Sequence, residues 1–479
     1  MTVGSLAIHR REARMFARVW RFASYGCRTA LCLGFAVPIQ ANELATEQQR
    51  LLASGADLFN HQWQVKDPRS RVGDGLGPVY NENSCAACHG IGGVGGGGPV
   101  EKNVQLLATP LVATLRSGQS TATAGAAANS RFPSVSASVL HRFGNSDKYT
   151  QWRENLLIHA PNVLELPSTQ ETDAADKRAS QVSTPDAKEL RLRRARGGSL
   201  TERNAAALFG DGLIDKIPDA VIKAQVKTAL PLDPLDTSRK DARTSPVQGR
   251  VVLVSDGRVG KFGSKAQQAS LGEFTLFACA MEIGLEVPNN PQSLDPTVER
   301  REQTNGLDMN QDDCDALIAF VSSIPAPRRE TPGDASRETV MVGEVLFDRI
   351  GCAACHKPRL GDIDGLYSDL LVHDMGQELA DPSIYYSKSG TAGTTLVRAS
   401  EWRTPPLWGV ADSAPYLHDG RARTLKEAIL LHNGQASESA NYFSGLHDTE
   451  QEAVLTFLRS LRAPQPVAAP ATVTQIAPR

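Results

Sequence analysis

Two identical pentapeptides carry the most distinctive chemistry in this chain. Residues 85–89 and residues 352–356 both read C-A-A-C-H, and C-x-x-C-H is the attachment motif of haem c. Each thiol adds to one vinyl group of the porphyrin, and the adjacent histidine reaches the iron. The sequence therefore predicts two covalently bound haem c groups. The predicted attachment residues are Cys85, Cys88, Cys352 and Cys355, with His89 and His356 as the proximal iron ligands.

The alternatives for the two motifs are a redox dithiol, half of a zinc site, or chance. A zinc ribbon pairs its two C-x-x-C units at a spacing of roughly 15–20 residues, whereas these motifs lie 267 residues apart. One chance match is expected in roughly 300 chains of this composition, and two are far rarer. Haem attachment is the prediction that best fits both the wide spacing of the two motifs and their repeated occurrence.

The N-terminal segment has the pattern of a secretory signal. Six arginines precede a short apolar stretch, residues 30–37, and the segment closes at the small residue Ala41. A basic region, a short apolar core and a small closing residue predict a signal over residues 1–41, and hence a periplasmic location. This agrees with the motifs, because haem c is attached outside the cytoplasm. The alternative is a disordered basic N-terminus on a cytosolic protein.

Composition excludes two classes of function. The 479 residues carry a formal net charge of -2, and no run of Lys and Arg alternates with aromatic residues. This argues against a nucleic-acid binder. No apolar stretch approaches the roughly 18 residues that cross a bilayer, so no membrane span is predicted.

Four landmarks recur in the same order and indicate a duplicated cytochrome c domain. Besides C-x-x-C-H, they are G-x-x-L-F, a Leu-aromatic-Gly triplet and D-G-R. Their positions are 55–59, 208–210 and 256–258 in the first copy, and 343–347, 407–409 and 419–421 in the second.

The predicted class is mainly α, with few strands and two cytochrome c-like domains that each hold one covalent haem c. The boundaries are a signal (1–41), an N-terminal haem domain with insertions (42–324), a linker (325–336), a C-terminal haem domain (337–462) and a disordered tail (463–479). Long loop insertions are predicted at 117–130 and 167–198. Predicted helices are 47–63, 311–323, 337–350, 425–432 and 450–461, with capping residues Thr46, Asn310, Thr424 and Thr449.

Several longer stretches resemble one known family. They are residues 209–218 (FGDGLIDKIP), 256–268 (DGRVGKFGSKAQQ), 367–376 (YSDLLVHDMG) and 401–429 (EWRTPPLWGVADSAPYLHDGRARTLKEAI). With both haem motifs they resemble the di-haem oxidoreductase family, whose members are described as peroxidases or thiol oxidoreductases and are related to bacterial di-haem cytochrome c peroxidase. The resemblance covers most of residues 47–461.

The resemblance implies a second axial ligand for the C-terminal haem about one helix beyond His418. His432 stands there and would give bis-histidine coordination, which lowers the reduction potential relative to His/Met. His373 and Met375 are the competing ligands, and a surface role for His432 is the remaining alternative. His418 is expected to form hydrogen bonds near the haem edge.

The resemblance implies a different N-terminal haem. The relatives place a removable histidine soon after the first motif, but this chain has no histidine between His89 and His141. We therefore expect an open iron, with His141 as the alternative ligand. Glu282 is the expected acid–base residue that moves a proton during O–O cleavage, with Gln268 beside it. The alternative for Glu282 is that it is a surface carboxylate of a helix. The alternative to Gln268 is the neighbouring Gln267.

Two other family features are only partly matched. The tryptophan that bridges the haems in the relatives is replaced by Ser264 or Ser255, and Trp152 or Trp402 would have to take its place. The relatives also hold Ca²⁺ through carbonyl groups of an A-P-Y segment, which residues 414–416 match. Separately, the two remaining cysteines of an oxidising compartment, Cys279 and Cys314, predict a disulfide.

Together these features predict a periplasmic, peroxidase-like oxidoreductase. Peroxide is reduced at the N-terminal haem, while the C-terminal haem relays electrons from a small redox protein or another donor. Two alternatives remain: an oxygenase that uses dioxygen on an organic substrate, and a non-catalytic electron-transfer cytochrome.

Overall fold

The computed structural model describes residues 37–110, 135–158, 193–195, 198–226, 247–298, 306–327, 329–333, 335–381 and 397–464. Most of the predicted signal, the insertion at 117–130 and the tail beyond 464 lie outside these residues. The chain divides into two units, residues 1–50 and residues 51–479. Only the start of the first helix is described in the first unit, and the contacts below belong to the second.

Helices make up about 40% of the structure, which supports the predicted mainly α class. The α-helices of the described residues are α1 (Val37–Asn60), α2 (Cys85–Cys88), α3 (Asp147–Ile158), α4 (Asp211–Asp215), α5 (Asp219–Gln225), α6 (Leu271–Ala278), α7 (Gln311–Ser323), α8 (Arg337–Arg349), α9 (Leu425–Leu430), α10 (Ser437–Ser444) and α11 (Asp448–Arg459). No helix among them is long and apolar enough to cross a membrane.

Two of the predicted helix starts are confirmed. The Asn310 side chain accepts a hydrogen bond from the Asp313 N–H (2.9 Å), and the Asp313 carboxylate accepts one from the Asn310 N–H (3.2 Å). Thr424 and Glu427 form the same reciprocal pair at the start of α9. Each capping box satisfies N–H groups that have no partner within the helix.

Two other predicted starts are wrong. Helix α1 begins at Val37, so Thr46 lies inside the helix and does not cap it. Helix α11 begins at Asp448, where the Glu450 carboxylate accepts a hydrogen bond from the His447 N–H (3.0 Å). This acidic residue stands two positions before Glu452, the expected partner of Thr449, so the cap forms earlier in the chain.

The expectation of few strands is wrong for the described residues, which contain ten short strands. They are β1 (Val79–Tyr80), β2 (Val104–Pro110), β3 (Val135–Val139), β4 (Phe143–Gly144), β5 (Arg193–Ala195), β6 (Gly198–Arg203), β7 (Arg359–Leu360), β8 (Ile363–Asp364), β9 (Val372–Asp374) and β10 (Glu401–Arg403). Strands β3-β2-β6-β5 form an antiparallel sheet in that order, and the other strands pair two by two.

The sheet corrects the end of the loop predicted at 167–198. Strands β5 and β6 pair through Ala195 and Gly198, and Leu106 of β2 lies opposite Thr201 of β6. This part of the chain is charged and carries few apolar residues, so no alternating pattern announces a strand. Pairing with β2, which is distant in the sequence, stabilises strand β6 where the local sequence does not predict a strand.

The G-x-x-L-F landmark of the first copy places α1 against α7. A methyl group at Gly55 would overlap the carbonyl oxygen of Ala316, so only glycine permits this close helix crossing. Leu58 and Phe59 are buried beside it. The Phe59 ring lies 5.3 Å from the ring of Phe320.

The second copy repeats this arrangement with α8 against α11. A methyl group at Gly343 would overlap the carbonyl oxygen of Ala453, and Phe347 lies 5.2 Å from Phe457. The same residue types therefore make the same crossing in both copies. This supports the internal duplication inferred from the landmarks.

The Leu-aromatic-Gly triplets connect the two copies. Gly210 packs against the ring of Trp408, and Gly409 packs against the ring of Phe209. Both glycines have positive φ, 72° and 67°. Each copy thus supplies a glycine for the aromatic residue of the other, which is the contact expected of a local two-fold relation.

Two apolar cores flank the haem motifs. The first contains residues of α1, α6 and α7 and packs against Cys85 and Ala86. The second contains residues of α8 and α11 and packs against Cys352 and Ala353. The predicted linker is tied to the second core region, because the Glu330 N–H donates to the Ser460 carbonyl (2.9 Å).

Candidate functional site

The first motif sits on the short helix α2. The Ser84 hydroxyl caps it by accepting from the Ala87 N–H (3.2 Å), and the His89 N–H donates to the Cys85 carbonyl (3.0 Å). Nδ1 of His89 donates to the carbonyl oxygen of Gly96 (3.2 Å). This hydrogen bond orients the ring, and a further backbone hydrogen bond joins the ring to Ala206. Burial outweighs both contacts and lowers the pKa of His89, which favours the neutral ring that a metal requires.

A glycine-rich turn provides that carbonyl. Gly92, Gly93 and Gly95 have φ values of 84°, 120° and 79°, which L side chains rarely adopt. The turn returns the chain to the motif, where the Gly95 N–H donates to the His89 carbonyl (3.0 Å). Glycine is therefore required by the backbone that orients His89.

The second motif has the same local geometry. The His356 N–H donates to the Cys352 carbonyl (2.9 Å), and Nδ1 of His356 donates to the carbonyl of Tyr367 (3.0 Å). This hydrogen bond leaves Nε2 of His356 as the nitrogen that can bind a metal. Both predicted proximal histidines thus have a ring nitrogen bonded to a backbone carbonyl.

The structure brings His432 opposite His356. Their ring centres are 6.4 Å apart at an interplanar angle of 55°, and Nδ1 of His432 donates to the Ala428 carbonyl (2.7 Å). A metal bound about 2 Å from one nitrogen of each ring would hold the ring centres roughly 6 Å apart. The donor pair and its spacing fit a haem iron held between two histidines.

The electrostatic environment favours the ligating form of both rings. Burial, followed by the nearby His432, lowers the pKa of His356 to about 4. Burial also lowers the pKa of His432. Since only neutral imidazole binds a metal, this environment favours ligation at neutral pH.

One of the two competing ligands, His373, is engaged elsewhere. His373 bonds to Asp369 through Nε2 (2.9 Å) and to Gln435 through Nδ1 (3.0 Å). Burial lowers the pKa of His373, but the hydrogen bonds to Asp369 and to the second motif outweigh it and raise the pKa to about 11. Met375 lies just after β9, where its backbone N–H donates to the Ser400 carbonyl (2.8 Å). The side-chain contacts of His373 favour His432 over His373 as the ligand.

Glu282 lies beside the first motif. Its carboxylate accepts a hydrogen bond from Nδ2 of Asn81 (2.6 Å), and its backbone carbonyl accepts from the Asn81 N–H (2.7 Å). Burial, together with the charges of Glu282 and Glu82, raises the pKa of the Cys88 thiol to about 12. The carboxylate is therefore within electrostatic range of Cys88, one of the two predicted attachment cysteines of the first motif.

His141 points to the same segment. It is buried, and its Nε2 donates to the carbonyl oxygen of Met281 (2.8 Å). Burial lowers its pKa to about 4. A polar cavity of about 300 Å³ lies nearby and is lined in part by Asn81, Arg142 and Arg153. His141 is thus occupied by a backbone carbonyl at the edge of a polar pocket.

The glutamine candidates lie in one short turn. Gln268 exchanges backbone hydrogen bonds with Phe262 (3.0 and 3.2 Å), while the Gln267 side chain accepts from the Lys265 N–H (2.8 Å). The Gln267 side chain is therefore used inside this turn, and Gln268 beside Glu282 stays a prediction.

A buried aromatic stack was missed by sequence reasoning. The rings of Trp402 and His418 stack at 3.8 Å and 15°, and Nζ of Lys265 lies 3.5 Å from the centre of the Trp402 ring, in a cation–π contact. The three residues are not neighbours in the sequence, so no local signal reveals the stack. Trp152, the other tryptophan considered, packs against Tyr149 at 5.5 Å.

The stack is connected to both motifs. Trp402 is paired with His373 across β9 and β10, and His373 touches the second motif (3.5 Å). On the other side the His418 carbonyl accepts from the Asn204 N–H (2.8 Å), and Nδ2 of Asn204 donates to Gly98 in the glycine-rich turn (2.8 Å). The two stacked rings are therefore linked to each haem motif through strand pairing and hydrogen bonds.

The predicted disulfide is not present in the structure. Cys279 and Cys314 are both buried and both free thiols. Burial raises the pKa of each thiol, that of Cys314 to about 12. They act as small apolar side chains of the first core.

The chain matches one family model and is similar in sequence to two curated proteins. The model of the family described as "Di-haem oxidoreductase, putative peroxidase" matches residues 164–461. Cytochrome-c peroxidase IdrP2 of Denitromonas iodatirespirans is 29% identical over 160 residues, which are 28% of this chain and 42% of that protein. Hydrazine synthase subunit gamma of Kuenenia stuttgartiensis is 28% identical over 142 residues, which are 24% and 39%. The chain thus spans about two-fifths of the length of these curated relatives.

Solved structures give weaker similarity. Hydrazine synthase of Kuenenia stuttgartiensis, pressurised with xenon, is 21% identical and covers 33% of this chain and 57% of that one, with a TM-score of 0.25. A MauG-like protein associated with microbial copper homeostasis is 17% identical and covers 52% and 90%, with a TM-score of 0.27.

Proposed function

This chain belongs to the di-haem oxidoreductase family, and from that premise we propose that it is a periplasmic di-haem c-type cytochrome that acts as a peroxidase. Peroxide is reduced at the N-terminal haem, and the C-terminal haem relays the electrons. The attachment residues are the four cysteines of the two motifs, and the iron ligands are His89, His356 and His432.

The asymmetry between the two motifs carries this proposal. Both have a proximal histidine whose Nδ1 is bonded to a backbone carbonyl. Among the described residues, only the second motif has a histidine ring facing its proximal one, His432. At the first motif, His141 gives its Nε2 to Met281, and the Glu282 carboxylate stands nearby. This supports one closed, electron-relaying site and one open, substrate-binding site.

The side chains around the first motif provide the proton chemistry. Haem, when bound, supplies a redox-active iron. Glu282 accepts a proton from peroxide and returns it to the departing oxygen, while Asn81 orients the carboxylate through its Nδ2. The Arg142 N–H in turn holds the Asn81 side-chain oxygen (2.9 Å), which fixes the amide orientation. The adjacent polar cavity admits a small polar substrate.

The contacts between the motifs support electron relay. Trp402 and His418 offer the aromatic connection that Ser264 and Ser255 cannot provide. The electron donor is a small redox protein or another reductant. A calcium ion held in part by the carbonyls of residues 414–416 also belongs to this proposal, as does export directed by residues 1–41.

Replacing Glu282 with glutamine tests the peroxidase proposal. Glu282→Gln keeps the hydrogen bond to Asn81 possible but removes the group that carries the proton. We expect kcat/KM for hydrogen peroxide to fall by about 10²–10⁴-fold, the usual contribution of a general acid–base. Steady-state peroxide turnover with a small-molecule electron donor measures this.

Glu82→Gln is the matched control. It removes a carboxylate within electrostatic range of the same cysteine, but Glu82 is paired with Lys102. We expect less than about a threefold effect. Equal losses in both variants would mean that only charge matters and would contradict the role of Glu282. Dioxygen consumption with an organic substrate, without peroxide turnover, would favour an oxygenase instead.

A further inference from the structure

We propose that the exposed face of helix α8 is the docking surface for a small redox protein that donates electrons. The proposal rests on the proposed function, in which the second haem motif receives electrons. It adds the surface through which they arrive and the chemistry of the partner.

Helix α8 presents an apolar stripe to solvent. Met341, Val342 and Val345 are 60%, 47% and 65% exposed, and they line a shallow surface depression together with Arg337 and Arg349. Residues four apart share a helix face, so the two arginines stand at the ends of the same stripe. Contiguous exposed apolar residues on a folded protein mark interaction sites more often than isolated ones do.

The internal duplication shows that the fold does not require this stripe. Gly343 of α8 corresponds to Gly55 of α1, since both make the same close helix crossing. At the positions of α1 that match the stripe stand Ala53, Ser54 and Asp57, and all three are exposed. One copy of the fold is therefore stable with small or charged residues on this face. The apolar residues of α8 serve something other than folding.

The size of the stripe indicates the kind of partner. Helix α8 has 13 residues and is about 20 Å long, so a stripe one helix face wide offers a few hundred Å². A stable dimer buries about 800 Å² on each partner, whereas transient electron-transfer encounters use smaller contacts. This favours a transient redox partner over a second copy of the chain.

The position of the stripe fits electron delivery. Helix α8 ends at Arg349, three residues before Cys352 of the second motif. The end of the stripe marked by Arg349 therefore leads directly into the segment that is predicted to attach the C-terminal haem. Glu338 and Asp348 lie beside the two arginines at the ends of the stripe, so its surroundings carry both positive and negative charge. We infer that the partner docks mainly through an apolar face, and that the rate of electron transfer depends only weakly on salt.

The test compares a protein donor with a small-molecule donor on the full-length, haem-loaded protein. The double variant Met341→Asp/Val345→Asp places two charges on the stripe. The readout is the absorbance change as the oxidised protein is reduced without peroxide. The probes are reduced azurin, reduced cytochrome c551 and the small molecule tetramethylphenylenediamine. We expect the second-order rate with at least one protein probe to fall about tenfold, and the small-molecule rate to change less than twofold.

The matched control is Ala53→Asp/Ser54→Asp on the corresponding face of α1, for which we expect no change with any probe. Three results would overturn the proposal. One is an equal loss with the small molecule, and another is no loss with either protein. The third is a dimer, seen by analytical ultracentrifugation, that the stripe variant dissociates. Because no peroxide is used, failure of the peroxidase proposal would leave this test interpretable.

Discussion

At the scale of single residues, Lys265 holds the region between the two motifs together. It is fully buried, and its Nζ donates to the carbonyls of Arg398 (3.3 Å), Ala399 (2.7 Å) and Glu401 (2.6 Å). Lys265→Met would leave these carbonyls without a donor and remove the amino group that faces the Trp402 ring. Burial and the nearby Arg203 lower the pKa of Lys265 and oppose its charged form, so the hydrogen bonds carry most of the expected effect. We expect a loss of about 3 kcal/mol in the free energy of unfolding, measured by denaturant titration.

The control for this variant is Lys216→Met, which removes an exposed lysine. We expect it to change stability by less than about 0.5 kcal/mol. If Lys265→Met and Lys216→Met had the same stability, the buried amino group of Lys265 would contribute nothing to stability. The stack of Trp402 and His418 would then not depend on Lys265.

The buried carboxyl group of Asp211 is expected to make the free energy of unfolding depend on pH. Burial raises its pKa to about 7 from 3.8, and the neighbouring Arg403 only partly opposes this. Between about pH 4 and 7 the folded protein keeps a proton that the unfolded chain has released. Its contribution to stability therefore falls as the pH rises through this window.

Asp211→Asn removes the ionisable group. We expect the variant to gain stability relative to wild type as the pH is raised from about 4 to 7, because asparagine has no charge to bury. Urea unfolding at several pH values measures this difference. An exposed aspartate, Asp362, provides the control as Asp362→Asn, for which we expect a flat difference. A flat difference for Asp211→Asn as well would contradict the raised pKa.

The sequence predicts single residues well where the chemistry is local. The haem motifs place two cysteines and a histidine within five residues, so the motif is complete in the sequence. His432 needed the family resemblance, and the structure supports it by placing the ring opposite His356. The stack of Lys265, Trp402 and His418 could not be predicted, because its members meet only through the tertiary fold.

At the scale of elements, the helix crossings depend on two glycines. A methyl group at Gly343 would overlap a backbone carbonyl of α11, and neither backbone can move without separating the helices. We expect Gly343→Ala to lose about 2–3 kcal/mol, even though alanine favours a helix by about 1 kcal/mol. Thermal and denaturant unfolding measure the change.

Gly333→Ala is the control for this substitution, since a methyl group there meets nothing within 4 Å. We expect it to be neutral or slightly stabilising. If Gly343→Ala were also neutral, the close crossing of α8 and α11 would not be essential to the fold.

Elements were predictable where their signals are local. The side chain of Asn310 and the Asp313 three positions later specify the start of α7 directly. At α11 the same rule was applied to Thr449, while Glu450 makes the cap with His447, two residues earlier. The sheet of β2, β3, β5 and β6 was not predictable, since β2 pairs with strands distant in the sequence and β5 and β6 lack an alternating pattern.

At the scale of the whole molecule, the two copies share a common framework but differ in the surroundings of the two haem motifs. Both copies keep the glycine crossing and the carbonyl-bonded proximal histidine. The copies differ in their surroundings: the His432 ring lies opposite His356 in the second copy, whereas the Glu282 carboxylate is within electrostatic range of Cys88 in the first. Ordered landmarks in the sequence were enough to predict the duplication. The asymmetry could not be fully predicted, because the engagement of His141 with Met281 depends on the fold.

The most direct test of one open and one closed haem site is the electron paramagnetic resonance spectrum of the oxidised, haem-loaded protein at neutral pH. We predict one high-spin ferric signal from the open N-terminal site and one low-spin signal from the site closed by His356 and His432. His432→Ala should convert the low-spin signal to high spin and leave the other unchanged. Two low-spin signals in the wild type, still low-spin after one-electron reduction, would contradict the open site and favour an electron-transfer cytochrome.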